Sequence, residues 1–192
     1  EISSPQFYSV SDEEVTVYLE HEGQIVQVEY LNESVYTNVS ISKSGYTQVV
    51  PGQEIRYTFK DIGNNSTVPL DSFYWRDTLP TDAVRLDKII TGTYSARLNY
   101  KVVFQTNLND TQRVLADNLN TQKNYTLDAS PAALGLASNE YVTQVTFLFG
   151  RVPGGFKQVE TPYIYCDVLS SLSHEYRFAN KCDVGGMWQN QW

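Results

Sequence analysis

Residues 54–60, EIRYTFK, alternate strictly between apolar and polar side chains. Ile55, Tyr57 and Phe59 occupy every second position, with charged or hydroxyl-bearing residues between them. Because successive side chains of a β-strand point to opposite faces, the pattern predicts a strand with one face in a core and the other in water. Residues 98–105, LNYKVVFQ, repeat it.

The rest of the chain has the composition of a β protein. Fourteen Tyr, eight Phe and three Trp accompany a single Met, and aromatic and β-branched residues favour strands. The one stretch that suggests a helix, residues 130–137, is held to a turn or two by Gly135. Many short strands separated by turn residues predict an all-β, immunoglobulin-like β-sandwich. The predicted strands of this sandwich are residues 54–60, 70–77, 84–91, 98–105, 113–115, 141–149, 163–169 and 176–182.

The alternation also assigns residues to the core. A shift of one residue in the pairing of a strand would exchange its buried and exposed faces. The burial of these residues therefore tests the predicted register. The residues expected to be buried are Tyr57, Phe59, Tyr100, Val102, Val145 and Phe147. The residues expected to face water are Arg56, Lys60 and Lys101.

The first forty residues differ from the sandwich. Residues 1–14 are predicted to be an irregular leader, and residues 15–19 and 25–31 to form a hairpin around a short glycine-containing connection. We therefore expect a short N-terminal β segment at residues 1–41, the sandwich at residues 42–186, and a tail or linker at residues 187–192. The chain is expected to be a piece of a longer protein.

The charge of the chain limits its partners. The sequence carries 14 Lys and Arg against 22 Asp and Glu, a formal charge of −8. Nucleic acids and anionic membranes are bound through clustered cations, so neither is an expected partner. No apolar run approaches the length of a membrane span.

Motifs for catalysis or metal binding are not found in the sequence. His21, His174, Cys166 and Cys182 show no zinc-ligand spacing. There is no nucleophile elbow, phosphate-binding loop or dinucleotide fingerprint. The sequence therefore predicts a non-catalytic protein without metal or cofactor. A glycan-active enzyme would require two facing carboxylates in a cleft, and no motif marks such a pair.

The two cysteines raise a separate question. If residues 163–169 and 176–182 form a hairpin, Cys166 lies opposite Cys182 on neighbouring strands. An extracellular protein could oxidise such a pair to a disulfide. The alternative is a pair of buried thiols, because a disulfide also requires suitable geometry.

Two tryptophans stand outside the strand pattern. Most aromatic residues lie at inward strand positions, but Trp188 and Trp192 follow a Gly-Gly pair near the end of the chain. They can dock on the sandwich, begin a linker or bind a ligand, and docking or a linker is preferred. The last possibility suggests an alternative function, a carbohydrate-binding module that uses Tyr and Trp side chains of residues 91–140 or of the tail.

Short motifs spread along the chain resemble a conserved repeat domain of bacterial cell-surface proteins. The motifs are residues 43–45 (KSG), 50–59 (VPGQEIRYTF), 62–64 (IGN), 75–80 (WRDTLP), and 178–180 (FAN) followed by 183–184 (DV). The resemblance covers roughly residues 40–186. The middle of this chain, residues 91–140, is longer than the same part of a typical copy of the repeat. The N-terminal hairpin is similar to the last strands of a collagen-adhesin B-type stalk repeat, and so to the tail of a preceding module.

This resemblance implies a function. The family's members suggest a stalk, spacer or adhesive module in a secreted bacterial protein that is attached to the cell wall. Its partners would be the neighbouring modules of the same chain, together with a host or bacterial glycan or protein. The expected location is extracellular, at the cell surface.

Residues 73–80, FYWRDTLP, are the most conspicuous of these motifs. Alternation places Phe73 and Trp75 on one face of a strand and Tyr74 on the other. Asp77 is predicted to end the strand, with its carboxylate accepting backbone N–H groups of the following turn. This interpretation fits the repeat family, in which Asp-Thr-Leu-Pro is a turn.

Sandwiches of sortase-assembled pilins are similar to this chain in three places. They carry a Lys on the first strand, an Asp in the middle and an Asn on the last strand, and the matching positions here are Lys43, Asp77 and Asn180. The resemblance implies an intramolecular Lys–Asn isopeptide bond, formed in a buried apolar setting that favours the neutral amine and the protonated acid. Otherwise, Lys43 is a solvated lysine and Asn180 a turn or strand-end residue.

Overall fold

The computed structural model describes residues 6–10, 14–21 and 24–31 as strands, and residues 36–44, 51–171 and 181–192 in full. The strands are β1 Gln6–Val10, β2 Glu14–His21, β3 Gln24–Leu31, β4 Val39–Ser44, β5 Glu54–Asn64, β6 Leu70–Thr78, β7 Val84–Ile90, β8 Asn99–Thr106, β9 Arg113–Asn120, β10 Thr126–Asp128, β11 Val142–Val152, β12 Tyr163–Val168 and β13 Lys181–Met187. One short helix, α1 Pro131–Leu134, accompanies them.

Ten of these strands form two antiparallel five-stranded sheets. The front sheet has the order β10-β7-β12-β5-β4, and the back sheet has the order β13-β6-β11-β8-β9. The predicted all-β sandwich is confirmed. Within the described part of the chain, no helix is long and apolar enough to span a membrane.

The N-terminal strands form a sheet of their own, in the order β1-β2-β3. The β2–β3 hairpin was predicted, but the expectation of an irregular leader is wrong, because β1 pairs with β2. The first strand of the sandwich, β4, begins at Val39 and so spans the expected boundary at residue 42. The sandwich extends further back, since the backbone of Tyr36 and Asn38 accepts hydrogen bonds from Thr67 and Asn65.

The two sheets enclose a core rich in aromatic rings. Trp75 on β6 stacks on Phe147 on β11, with ring centroids 4.1 Å apart. The Trp75 indole N–H donates to the hydroxyl of Tyr94, which in turn donates to the carbonyl of Thr91. Both buried donors therefore have a hydrogen-bond acceptor. Every residue of the predicted core set is buried and the three predicted exposed residues are exposed, which confirms the register.

The middle segment, residues 91–140, adds strands to both sheets. β8 and β9 complete the back sheet, and β9 is its edge strand. The prediction placed residues 98–105 and 113–115 in strands here, so it found β8 but only the start of β9, and it missed β10 at the edge of the front sheet. The single turn of α1 agrees with the prediction. Ser130 caps its start, and Gly135 ends it with a φ of 65°.

Candidate functional site

Asp77 lies inside a strand rather than at its end. β6 continues to Thr78, and Phe73, Trp75 and Asp77 are three successive inward positions on it. The side chain of Asp77 is fully buried. The prediction that its carboxylate caps the following turn is wrong, because Oδ1 contacts Lys43 and Oδ2 has no hydrogen-bond partner among the described residues. Alternation alone would have placed it in the core, but a charged residue is rarely found there without a partner.

The partner of Asp77 is Lys43. Lys43 lies on β4 opposite Phe59 of β5, and its side chain is only 4% exposed. Its Nζ forms an ion pair with Asp77 Oδ1. Because β4 belongs to the front sheet and β6 to the back sheet, this contact bridges the two layers of the sandwich.

Aromatic rings surround the ion pair. Lys43 Nζ lies 4.4 Å from the ring centroid of Tyr57 and 5.7 Å from that of Phe59. The Phe59 ring in turn packs 4.8 Å from Trp75. Burial raises the pKa of the Asp77 carboxyl, although the neighbouring Lys43 opposes the shift. Such a setting brings the protonated form of Asp77 closer in free energy to its carboxylate form.

One oxygen of Asp77 remains unsatisfied. Oδ2 is buried and has no hydrogen-bond partner among the described residues. A buried carboxylate oxygen without a donor is costly, so the geometry calls for a further donor at this point. Asn180, the third predicted member, lies outside the described residues. The next residue in the chain, Lys181, pairs with Thr78, the neighbour of Asp77.

The structure thus brings together two of the three predicted isopeptide residues in a buried site. The alternative of a solvated Lys43 does not hold, because its side chain is enclosed. A nucleophilic amine, a proton-carrying acid and an apolar enclosure are what amide formation from a carboxamide requires.

The two cysteines do not lie opposite each other on neighbouring strands. β12, which carries Cys166, pairs with β5 and β7 in the front sheet, whereas β13, which carries Cys182, pairs with β6 in the back sheet. The predicted hairpin is therefore wrong. Proximity in sequence favours a hairpin, but in this fold the chain crosses from one sheet to the other between the two strands. Both residues are buried, and no disulfide bond joins them.

We expect both thiols to be protected in the folded protein. Burial, together with the charge of Asp77, raises the pKa of the Cys166 thiol well above its usual range, and Cys182 is 8% exposed. A thiol reagent at neutral pH should react slowly with the native chain because little thiolate is present and access is blocked. In denaturant, two thiols per chain should react whether or not a reductant was added. Two thiols that react only after reduction would show a disulfide instead.

The tail tryptophans dock on the sandwich. Trp188 is half-buried against the core, and it closes a tight turn with Gln191 through two backbone hydrogen bonds of 2.8 and 3.0 Å. The two residues inside the turn, Gln189 and Asn190, have φ values of 50° and 62°, as a type I′ turn requires. Trp192 lies edge-on to Tyr74, with 6.0 Å between ring centroids, and remains 54% exposed.

A cluster of carboxylates lies on the outer face of the front sheet and had no sequence signal. Oxygens of Glu54, Asp87 and Asp167, from three adjacent strands, lie within 4.8 Å of one another. The pKa of Glu54 is raised chiefly by a hydrogen bond with Asp87, and that of Asp167 by partial burial and the charge of Asp87. The residues are far apart in sequence. Asp167 pairs directly with Glu54 on β5, and the β12–β7 pairing shifts register between Lys88 and Leu86, at Asp87.

Compared with known proteins, the chain matches no family model, no curated protein and no solved structure.

Proposed function

We propose that this chain is a non-catalytic stalk or spacer module of a secreted, wall-attached bacterial surface protein. We further propose that a covalent bond between Lys43 and Asn180 ties the sandwich together. The observation that carries the proposal is the buried Lys43–Asp77 pair between the two sheets. The assignment to a cell-surface protein rests on the resemblance of the short motifs to the bacterial repeat domain.

A purely structural role explains the pair poorly. Removing two charges from water is expensive, and well-packed apolar residues of similar volume would often stabilise a core as well or better. The pair nevertheless lies among aromatic rings, with one carboxylate oxygen left without a described partner. A chemical role in bond formation accounts for both the burial and the unsatisfied oxygen.

The proposed reaction balances without an oxidant or a cofactor. The neutral Nζ of Lys43 attacks the side-chain carbonyl carbon of Asn180, and a new C–N bond forms. The protonated Asp77 gives its proton to the leaving amide nitrogen and takes one from Nζ in exchange. The old C–N bond breaks and one ammonia departs. The products are an amide cross-link and an Asp77 in its starting protonation state.

Such a bond would give the module a mechanical function. Lys43 lies on the first strand of the sandwich, and Asn180 directly precedes its last strand. A force applied to the two ends of the chain would pass from residue 43 to residue 180 through the bond. The segment between these residues would carry no load and would stay folded. The net charge of −8 also suits a surface spacer, because it limits non-specific association.

Single-molecule stretching of the chain, tethered at both ends, tests this proposal. The unmodified chain is expected to release no length from residues 43–180 at any force below bond rupture. Lys43→Arg, which cannot form the bond, should release that whole segment on unfolding. Lys60→Arg is the matched control, because Lys60 is an exposed lysine on β5, and it should behave like the unmodified chain. Release of the full segment from the unmodified chain would contradict the proposal.

A further inference from the structure

An open groove of about 400 Å³ lies on the outer face of the back sheet, away from the ion pair. Its volume is within the range of small-molecule sites, about 300–1,000 Å³. The groove crosses β6, β11, β8 and β9. Its lining consists of Ser72, Asn99, Tyr100, Lys101, Asp117, Asn118, Leu148, Phe149 and Gly150. Tyr100 and Phe149 turn their rings into the core.

The backbone around the groove adopts rare conformations. Ser72, Asn118 and Gly150, from three different strands, have φ values of 51°, 51° and 72°. The pairing of β11 with β6 and of β8 with β9 is irregular at the same places. Left-handed backbone is costly for a residue with a side chain, and such positions gather at functional sites. Three such residues line this one groove, so we interpret its shape as one that is suited to binding a ligand.

The polar side chains of the groove are uncommitted. Those of Ser72, Asn99, Lys101 and Asn118 are exposed and form no hydrogen bond or ion pair with another described residue. The carboxylate of Asp117 accepts a hydrogen bond from the backbone N–H of Asn118 at 2.7 Å. Lys101 and Asp117 balance each other in charge. The groove thus offers donors and acceptors without a net charge.

A row of large side chains continues from the groove towards the tail of the chain. Leu148 is the register neighbour of Lys101 on one side and of Tyr74 on the other. The Tyr74 ring lies against Gly185, where an added Cβ would be 2.7 Å from a ring carbon, and its hydroxyl donates to Asp183. The ring of Trp192 stands at 73° to that of Tyr74. This row, Trp192–Tyr74–Leu148–Lys101, therefore runs across the strands.

We infer that the groove and this row bind a short neutral oligosaccharide laid across the strands. A pyranose presents hydroxyl groups at its edge and C–H groups on its faces, which matches uncommitted polar side chains beside the exposed ring of Trp192 and the half-buried ring of Tyr74. A polyanion does not fit a chain with a net charge of −8. A peptide that adds to the sheet as a strand would run along the edge of the sheet, not across it.

The test uses four neutral tetrasaccharides, made of glucose, galactose, mannose or N-acetylglucosamine, with tryptophan fluorescence and calorimetry as readouts. At least one should bind and change the fluorescence. Asn99→Ala, Lys101→Ala and Trp192→Ala should each weaken binding about threefold to tenfold. Lys60→Ala, an exposed lysine on the front sheet, should leave binding unchanged. Because all the changed residues are exposed, circular dichroism should show intact folding.

Two outcomes would overturn the inference. One is that none of the four sugars binds at about millimolar concentration. The other is that a sugar binds with the same affinity to an Asn99→Ala, Lys101→Ala double variant, which would place its site elsewhere. Neither outcome depends on the proposed Lys43–Asn180 bond, because the Lys43–Asp77 pair lies between the two sheets, whereas the groove lies on the outer face of the back sheet.

Discussion

The intact mass of the purified chain is expected to be lower by one ammonia than its sequence predicts, and Asp77→Ala is expected to restore the full mass. Asp77→Ala should also lower the free energy of unfolding by about 3–5 kcal/mol beyond the loss of the bond, because it leaves Lys43 buried without a counter-charge. Mass spectrometry of the denatured chain measures the first effect, and urea unfolding measures the second.

Asn180→Ala separates the bond from the ion pair. This variant should also have the full mass, but it keeps Lys43 beside Asp77 and should therefore be destabilised less than Asp77→Ala. The unmodified chain at full mass would contradict the bond. In that case, a loss of stability in Asp77→Ala would report the ion pair alone.

The pH dependence of Lys43→Met follows from the same site. Burial raises the pKa of Asp77, and Lys43 acts against that shift, so removing the lysine should raise the pKa further. A carboxyl with a raised pKa in the folded state destabilises the fold above that pKa; the penalty shrinks as the pH falls below the raised pKa and is gone below the ordinary pKa of the unfolded chain. Lys43→Met should therefore become more stable as the pH is lowered from the raised pKa towards the ordinary pKa of an aspartate, as measured by urea unfolding at several pH values.

Phe147→Ala is expected to lower the free energy of unfolding by about 3–5 kcal/mol. Phe147 is fully buried, stacks on Trp75 and lies 5.9 Å from the Tyr100 ring, so its loss leaves a cavity between the sheets. Urea unfolding at constant pH measures the change. The neighbouring Leu148→Ala is the control, because Leu148 is half-buried on the outer face of the same strand. Equal costs for the two variants would contradict the assigned faces.

The buried faces of the strands could be predicted because alternation is local. Tyr57, Phe59 and Phe147 occupy the inward positions that their neighbours in sequence imply. The pairing of strands could not be predicted in the same way, since the partners of β12 and β13 are chosen by the packing of the whole sandwich.

The candidate site was only partly predictable for a related reason. The alternation of β6 pointed Asp77 inward, but only a partner far away in sequence makes a buried carboxylate acceptable. Lys43 could be named through the resemblance to pilin sandwiches, and no periodicity indicated that the two would meet. The groove had no sequence signal, because it arises from irregular pairing among four strands.

The left-handed residue Asn118 has a consequence beyond the groove. β9 is the edge of the back sheet, and Val114 on it is 54% exposed. A straight, apolar edge strand would offer its free N–H and C=O groups to the same strand of another copy, which is a route to aggregation. The irregular pairing of β8 with β9 and the turn of the backbone at Asn118 interrupt that row of groups. An array of such modules, crowded at high local concentration, would thereby be protected from edge-to-edge association.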